Sequence, residues 1–226
     1  MPINPTAIRT LPLFAGLDST ALDAIASIST LETMKSGDRP LEAGRHADHL
    51  YLLLSGQVAV GTTGSDGEFV AVEFLGPGDF FGTPAVLLGR PSLMAAEVVE
   101  SSRIVCVAAD EFRQMLRADP SLSMQMLESL ATSYRTLVRH VADLTSRSVA
   151  QRLGCFLLSL QAEQKAAQIV LPVEKRLVAS RLGTTPESLS RAFSVLRTCG
   201  VVTNGRKVSL RNLPALARFA RPDQPY

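Results

Sequence analysis

The 226-residue chain is predicted to be an α+β protein in which a long helix joins two domains. Three observations predict this class. Short apolar segments separated by glycine-rich turns fill residues 1–118, and an apolar heptad repeat follows at 119–145. Residues 146–226 then carry capped helices and a hairpin signal. The chain should therefore contain a β-rich domain, a helix able to pair with a second copy, and a mainly helical domain.

The N-terminal domain is expected to be an antiparallel barrel or sandwich. Strands are predicted at LYLLL, QVAVG and FVAVEFL, and as a pair around the ESS of AEVVESSRIVCVAA. The tetrapeptides GSDG and GPGD supply turns between strands. Short helices are predicted at STALDAIASI, which is capped and starts at Ser19, and at ADEFRQMLRA.

The connecting segment carries apolar residues at alternating spacings of three and four. This is the a/d pattern of a two-stranded coiled coil, with polar residues mostly on the other face. The pattern favours a homodimer over the alternative of an amphipathic helix packed on its own domain. The predicted seam consists of Leu127, Leu130, Tyr134, Leu137, Val141 and Leu144.

Charge is distributed unevenly, although the formal net charge is only +2. Residues 1–145 hold 10 Lys and Arg against 17 Asp and Glu, whereas residues 146–226 hold 13 against 4. Ordinary surface charge is one explanation. A basic segment beside an acidic one also indicates a module that binds a polyanion such as double-stranded DNA.

The basic segment is predicted to be a winged helix-turn-helix. After a helix capped by Ser148 and an extended link, AAQIVLPV, the helix EKRLVASRLG ends at Gly183. The next helix, TTPESLSRAFSVLRTCG, has Thr184 and Thr185 as candidate N-caps and ends at Gly200. The hairpin VVTNGRKVSL follows, with an Asn-Gly signal for a type I′ turn, and forms the wing.

The second helix of this motif is expected to read DNA. Glu187, Ser190 and Arg191 share one face at spacings i, i+3 and i+4, so they can reach base edges together. Arg can donate two hydrogen bonds to guanine and Glu can accept one from cytosine. The alternative is a solvated Glu–Arg pair without function. Residues expected to contact phosphates are Lys175, Arg176, Arg181, Thr184, Thr185, Arg206 and Lys207.

The sequence also resembles a known family. PLEAGRHADHLYLLLSGQVAV followed by GPGDFFG is similar to the β-roll of cyclic-nucleotide-binding proteins, and PVEKRLVASRLGTTPESLSRAF resembles the DNA-binding signature of the CRP/FNR transcription regulators. The resemblance implies a β-roll sensor, a dimerisation helix, a winged helix-turn-helix, and RNA polymerase as a further partner. The Glu-x-x-Ser-Arg spacing is similar to that of the FNR branch and of the nitric-oxide-responsive denitrification regulators. It implies a palindrome of TTGAT half-sites.

The resemblance fails at the positions that hold cyclic AMP in the family. Thr83 stands where the family has a ribose-binding Glu, and Leu93 and Met94 stand where it has a phosphate-binding Arg-Ser pair. Leu137 and Val138 replace a Thr-Ser pair that contacts the base. These departures argue against cyclic AMP, since a buried phosphate needs a cation or donors. They predict an apolar effector pocket or none.

Cofactor chemistry is constrained by the cysteines and histidines. The chain has three scattered cysteines and no CxxC, which argues against an iron–sulfur or structural metal site and for a reducing cytoplasm. The N-terminal MPINPTAIRTLPLF does not resemble a signal peptide, and no apolar run is long enough for a membrane helix. A haem-based sensor of NO or CO, or a redox-sensing regulator, remains an alternative, with axial haem ligands among His46, His49, His140, Cys106, Cys155 and Cys199. Of the thiols, Cys199 is expected to be exposed and the other two buried.

Two other classes of protein, an enzyme and a sensory adaptor, fit the sequence less well. An enzyme needs a convergent nucleophile, acid–base or metal set, and the sequence offers three separated histidines and no paired catalytic motif. A sensory adaptor whose winged helix binds protein would not need the base-reading pair Glu187 and Arg191. The sequence therefore favours a DNA-binding regulator.

Overall fold

The computed structural model describes residues 3–64, 67 and 69–221. The chain divides into two compact units, Met1–Tyr134 and Arg135–Tyr226. The division falls within a long helix, α5 (Pro120–Ser146), which therefore supplies residues to both units. Each unit is described separately.

The first unit is a β-roll flanked by helices. Its antiparallel sheet has the strand order β1-β5-β2-β3, with β4 paired to β2. Helix α2 starts at Ser19, as predicted, and Asp18 caps it by accepting the amide of Ala21 at 2.8 Å. The elements before α5 are α1 (Pro5–Arg9), a 3₁₀ turn (Pro12–Phe14), α2 (Ser19–Ser27), β1 (Ser29–Met34), β2 (His49–Thr63), β3 (Phe69–Leu75), β4 (Phe80–Phe81), α3 (Thr83–Leu88), β5 (Ala95–Ala108) and α4 (Ala109–Ala118).

The central strand β2 is apolar on both faces, because each face packs against a core of its own. Leu50 and Leu52 belong to a cluster that includes residues of the helices, among them Phe112 of α4. Tyr51 and Leu53 point to the other side and join a second buried cluster within the roll. This is why LYLLL is a continuous apolar run instead of an alternating one.

The strand boundaries around Gly56 differ from the prediction. LYLLL and QVAVG form one strand, and AEVVESSRIVCVAA forms one strand instead of a pair. Gly56 has a φ of +94° and lies where the β2–β5 register shifts. It is a β-bulge, in which the ladder continues past the irregularity. The buried Ser102 hydroxyl accepts the amide of Gln57 at 3.1 Å and fills the gap.

The Gly56 bulge gives a testable prediction about stability. A Cβ at Gly56 would lie 2.3 Å from Ser102 Oγ and 2.6 Å from the backbone of Ser101. Gly37 has nearly the same φ, +93°, but nothing within 4 Å of its Cβ position. Gly37→Ala should therefore lower the free energy of unfolding by about 1–2 kcal/mol, the cost of the left-handed conformation alone. Gly56→Ala should cost more than about 3 kcal/mol in urea denaturation. Equal losses of unfolding free energy in the two variants would contradict this prediction, since they would show that Ser102 can move aside at little cost.

The two predicted turns join neighbouring strands. In GPGD, Asp79 donates its amide to Gly76 O at 3.1 Å and accepts the Gly76 amide at 2.8 Å, between β3 and β4. In GSDG, Gly67 donates its amide to Gly64 O at 3.0 Å, and β2 and β3 are paired as a hairpin. Ser65 and Asp66 of this turn lie outside the described residues.

The second unit begins within α5 and contains a winged helix-turn-helix. After α5 come α6 (Val149–Gln164), β6 (Gln168–Val170), α7 (Lys175–Arg181), α8 (Pro186–Leu196), a 3₁₀ turn (Arg197–Cys199), β7 (Val201–Asn204), β8 (Lys207–Leu210) and α9 (Leu213–Ala220). Ser148 and Gln151 form a capping box at the start of α6, as the predicted Ser148 cap requires. The core of this unit includes Leu153, Leu157, Ile169, Val178, Leu189, Leu196, Val208 and Leu216.

The predicted extended link is a strand. β6 pairs antiparallel with β8, and the sheet order is β6-β8-β7, so the link is an edge of the wing sheet. Helix α9 was not predicted from the sequence. It packs on α6, where Gly154 leaves room for Ala220, since a Cβ on Gly154 would lie 2.8 Å from that of Ala220. The predicted α+β class, with a β-roll, a long helix and a winged helix-turn-helix, is confirmed.

Candidate nucleic-acid interface

Helices α7 and α8 are joined by a tight turn at Gly183, which has a φ of +60°. The turn closes with a 3.0 Å bond from the Thr184 amide to Ala179 O. Thr185 is the N-cap of α8, and its hydroxyl accepts the amide of Ser188 at 3.3 Å. The local sequence therefore sets both the turn and the starting point of α8.

The two faces of α8 are chemically distinct. Leu189, Ala192, Phe193 and Leu196 are buried, with exposed fractions of at most 7%. Glu187, Ser190 and Arg191 are all exposed, so the structure brings the three predicted base-reading residues onto one solvent face. Burial of the apolar face fixes the rotation of α8 and leaves the polar face available to a groove.

The polar face is organised by short-range hydrogen bonds. Arg191 Nη2 donates to Ser188 Oγ at 3.0 Å, which turns the guanidinium toward the N-terminus of α8. A hydrogen bond with Thr185, together with backbone bonding and the nearby Arg191, lowers the pKa of Glu187. Glu187 is therefore a carboxylate near neutral pH and can act as an acceptor. No role was predicted for Ser188 from the sequence, although its i+3 spacing to Arg191 indicates one.

The predicted phosphate-contacting residues fall into two groups. Arg176 and Lys207 are exposed side chains. Lys175 and Arg181 lie against aromatic rings: the Lys175 ammonium lies 5.1 Å from the Phe193 ring centre, and the half-buried Arg181 lies 5.3 Å from that of Phe156. Such residues hold the helix-turn-helix together as well as carrying charge.

Arg206 has a clear structural role. Its Nε donates to Leu171 O at 2.9 Å and its Nη2 to Pro172 O, which ties the wing to the chain before α7. Asn204 pairs with Lys207, so the two loop residues are Gly205 and Arg206. Only Gly205 of these has a positive φ, +59°, which is the pattern of a type II′ turn. The predicted hairpin is confirmed, but its predicted type I′ turn is wrong.

A groove beside α8 contains further polar residues that were not predicted from the sequence to be part of the site. Ser194 and Arg197 line a cavity of about 340 Å³ between α8 and β7, together with Ser190 and Lys175. Arg197 Nη2 donates to Ser194 Oγ at 2.7 Å. Ser194 follows Ser190 by four residues, and Arg197 follows Ser194 by three, so all three lie on one face of the helix. This spacing is the sequence signal that could have identified them.

The predicted coiled-coil seam is largely exposed in a single chain. Leu127, Tyr134, Leu137 and Val141 are 59%, 67%, 53% and 51% exposed, and Leu144 is 38% exposed. A row of exposed large apolar side chains is typical of an interface. Leu130 differs, because it is half-buried against the core of the first unit. It therefore contributes to that core whatever its role in a seam.

The predicted effector-pocket residues are not all in one place. Leu93 and Met94 line a cavity of about 270 Å³ in the first unit. Thr83 is buried at the start of α3, and its Oγ1 has no hydrogen-bond partner among the described residues, but it is not among the residues that line this cavity. Leu137 and Val138 are exposed residues of α5 that belong to the second unit.

The candidate haem ligands differ in their surroundings. His46 lines a cavity with Asp48, Asp110, Glu111 and Arg113, and His140 lines one with Asp143, Arg152 and Arg181. Burial, and then the Arg181 guanidinium, lower the pKa of His140. His49 lies on β2, 6.0 Å from the Tyr51 ring. An apolar, flat macrocycle needs largely apolar walls, which the charged lining of the His46 cavity does not supply, whereas the His140 cavity also includes Cys155, Phe156 and Leu182.

The cysteines differ from the prediction in two respects. Cys106 is buried in β5 as expected, and burial raises its pKa to about 12. Cys199 is buried, not exposed, because the 3₁₀ turn after α8 continues the inward face of Leu196 by three residues. Cys155 is only partly buried, and Arg147 Nη1 lies 3.4 Å from its sulfur. Within residues 3–64, 67 and 69–221, no group of three or more His, Cys, Asp and Glu could hold a metal ion.

No helix among the described residues is both long enough and apolar enough to cross a bilayer.

Both domains match known protein families. The cyclic nucleotide-binding domain family matches residues 31–119, and the Crp-like helix-turn-helix domain family matches residues 151–219. The CRP-like cAMP-activated global transcriptional regulator of Mycobacterium tuberculosis is 26% identical over 92% of this chain and 96% of its own length. The probable transcriptional regulator flp of Lacticaseibacillus casei is 26% identical over 93% and 96%. The structure of FixK2 from Bradyrhizobium japonicum, 24% identical, shares the fold with a TM-score of 0.76 over 88% of this chain and 100% of that one.

A β-roll of the cyclic-nucleotide-binding type, followed by a long helix and a winged helix-turn-helix, defines a class of DNA-binding transcription regulators. The chain belongs to the CRP/FNR family of transcription regulators.

Proposed function

We propose that the protein is a homodimeric, sequence-specific regulator that binds a palindrome of FNR-like TTGAT half-sites and acts with RNA polymerase. The observation that carries this proposal is the common solvent face of Glu187, Ser190 and Arg191 on α8, opposite a buried apolar face. Dimer symmetry places the half-site centres about one helical turn, roughly 34 Å, apart. The homodimer is supported by the exposed apolar stripe of α5.

The proposed base contacts follow from donor and acceptor chemistry. Arg191 donates two hydrogen bonds to O6 and N7 of the guanine in TTGAT, and Glu187 accepts one from a cytosine N4 on the opposite strand. Ser190, between them, contacts a base or a phosphate. The surrounding contacts to phosphates come from Lys175, Arg176, Arg181, Thr184, Thr185, Arg206 and Lys207, and supply the salt-dependent part of the affinity.

Cyclic AMP is not the proposed effector. The relative from M. tuberculosis is cAMP-activated. In the present chain Leu93 and Met94, at the positions of the phosphate-binding pair, carry no charge, and Arg90 is exposed and lies three positions before Leu93. We infer that the activity of this regulator responds to another kind of molecule or is set by its abundance.

The proposal is tested by mobility shift with an inverted TTGAT duplex and a scrambled duplex of the same composition, at rising salt. Preferred binding of the TTGAT duplex, with a steep fall of affinity in salt, supports the regulator. Equal binding of both duplexes would refute sequence reading. An absence of binding to either would favour an adaptor whose winged helix contacts protein.

The wing gives a further prediction. Lys207→Ala should weaken binding to specific and scrambled duplexes alike and reduce the slope of log K against log salt by about two per dimer, since each copy loses about one phosphate contact. Arg218→Ala, a change at an exposed cation of α9 outside the motif, is the matched control and should leave the slope unchanged. A Lys207→Ala slope equal to that of the wild type would remove Lys207 from the phosphate contacts.

A further inference from the structure

The cavity of about 270 Å³ beside α3 has walls that are mostly apolar, and we refer to it as the α3 cavity. Helix α3 contributes Pro84, Ala85 and Leu88, and the following loop contributes Leu93 and Met94. Leu88 and Leu93 are 67% and 88% exposed, so the cavity opens beside apolar side chains that face solvent. Exposed apolar groups of this size around a cavity are typical of a binding site.

The loop that forms one wall is held in place by its own polar groups. The Ser92 amide donates to Arg45 O, and Ser92 O accepts the amide of Gly44, both at 2.8 Å. The Ser92 hydroxyl donates to Met94 O at 2.7 Å. These bonds fix the loop wall of the cavity, and the hydroxyl of Ser92 is already engaged. A ligand must be recognised by the remaining side chains of the wall.

Arg90 is the charged residue among those that line the α3 cavity, within the part of the chain that the structure describes. Arg90 is exposed, and its guanidinium has no ion pair or hydrogen bond to any described residue. Arg39 and Arg113 of the same unit are instead engaged, since Arg39 lies 2.8 Å from Glu97 and Arg113 contacts Asp110. An unpaired cation at the edge of an apolar cavity complements a ligand that carries one anionic group on an apolar body.

We propose that the α3 cavity binds a small amphipathic carboxylate, with its apolar body among Leu88, Leu93 and Met94 and its carboxylate on Arg90. The volume exceeds the roughly 150 Å³ in which an apolar cavity holds benzene, so a chain or ring of modest size fits. A cyclic nucleotide does not fit this chemistry, because its ribose and base would face apolar walls. Binding is independent of DNA recognition; only its regulatory consequence rests on the proposed function.

The test uses the full-length protein with ¹³C-labelled methionine methyl groups and octanoate as the probe. The Met94 signal, assigned by Met94→Leu, should shift saturably with octanoate and not with cyclic AMP. Arg90→Gln should weaken octanoate binding about tenfold or more, the loss of one charge-assisted contact, and leave binding of neutral octan-1-ol unchanged. Arg117→Gln, at an exposed arginine of α4, is the matched control.

Three results would overturn the proposal: a Met94 signal that octanoate leaves unmoved, an Arg90→Gln affinity equal to that of the wild type, or displacement of octanoate by cyclic AMP. Leu93→Ser tests whether the exposed apolar patch is instead an interface between copies of the chain. If this variant sediments as a monomer where the wild type is a dimer, and its octanoate binding is not weaker, the patch is such an interface. DNA affinity is measured in parallel without octanoate. If no variant binds DNA while octanoate binding persists, the proposed function fails and the carboxylate site stands.

Discussion

Replacing Arg191 with Ala is expected to weaken binding to a TTGAT palindrome by about 1–3 kcal/mol per half-site and to relax selection at one base pair. The guanidinium is exposed on α8, and Ser188 Oγ holds it at 3.0 Å, so little ordering is needed before it meets a guanine. Arg191→Lys keeps the charge but not the planar pair of donors. It should retain non-specific affinity and lose the same base preference.

A double-mutant cycle tests the contact itself. Replacement of the half-site guanine by 7-deazaguanine removes the N7 acceptor and should cost the wild type affinity, measured by titration of fluorescent duplexes. The same replacement should cost the Arg191→Ala protein almost nothing, because its partner is already gone. If both proteins lose equally, Arg191 does not contact that base, and the assignment of the base-reading residues is wrong.

The second large effect is expected in the seam of α5. Leu137→Lys should convert a dimer to a monomer in sedimentation equilibrium, because two ammonium groups would face each other at a buried d position. Leu137 is 53% exposed in a single chain, so the change should leave the fold of the chain intact. Loss of the second half-site contact should then lower affinity for the palindrome on the order of 10²–10⁴-fold.

Two controls make this prediction specific. Ala142→Lys adds the same charge at an exposed position off the seam and should leave the dimer unchanged. Mixing Leu137→Lys with Leu137→Glu chains should restore dimers, since opposite charges then meet at the seam. A Leu137→Lys protein that remains dimeric would place the interface elsewhere. Leu130 is unsuited to this test, because it also packs on the core of the first unit.

The helices that carry the proposed DNA contacts were predicted from sequence because their signals are local, whereas the short helices α1, α3 and α9 were not predicted. The Ser148 cap, the Gly183 turn and the Thr185 N-cap each depend on residues within one turn of the helix they limit, and the structure uses all three. The exposed face of α8 also follows from its own spacing. Local capping and periodicity therefore gave the geometry that carries the proposed function.

The sheet boundaries depend on distant pairing, which the sequence does not reveal. Gly56 looks like a turn, yet a ladder to β5, about fifty residues further on, carries the strand through it as a bulge. Part of the predicted link at 166–173 is a strand, Gln168–Val170, because β8 pairs with it from residues 207–209. The burial of Cys199 likewise depends on a 3₁₀ turn that extends the inward face of α8. The structure brings Arg90 to the rim of the α3 cavity, where its guanidinium is unpaired within the described residues.

The most direct test of the central claim is the dependence of DNA affinity on the spacing of two inverted TTGAT half-sites. We expect tight binding when the half-site centres lie about ten base pairs apart, so that both α8 helices meet successive major grooves on one side of the duplex. Insertion of five base pairs rotates one half-site to the far side, and affinity should fall to that of a single half-site. Affinity that does not change with spacing would contradict recognition by a symmetric pair of α8 helices.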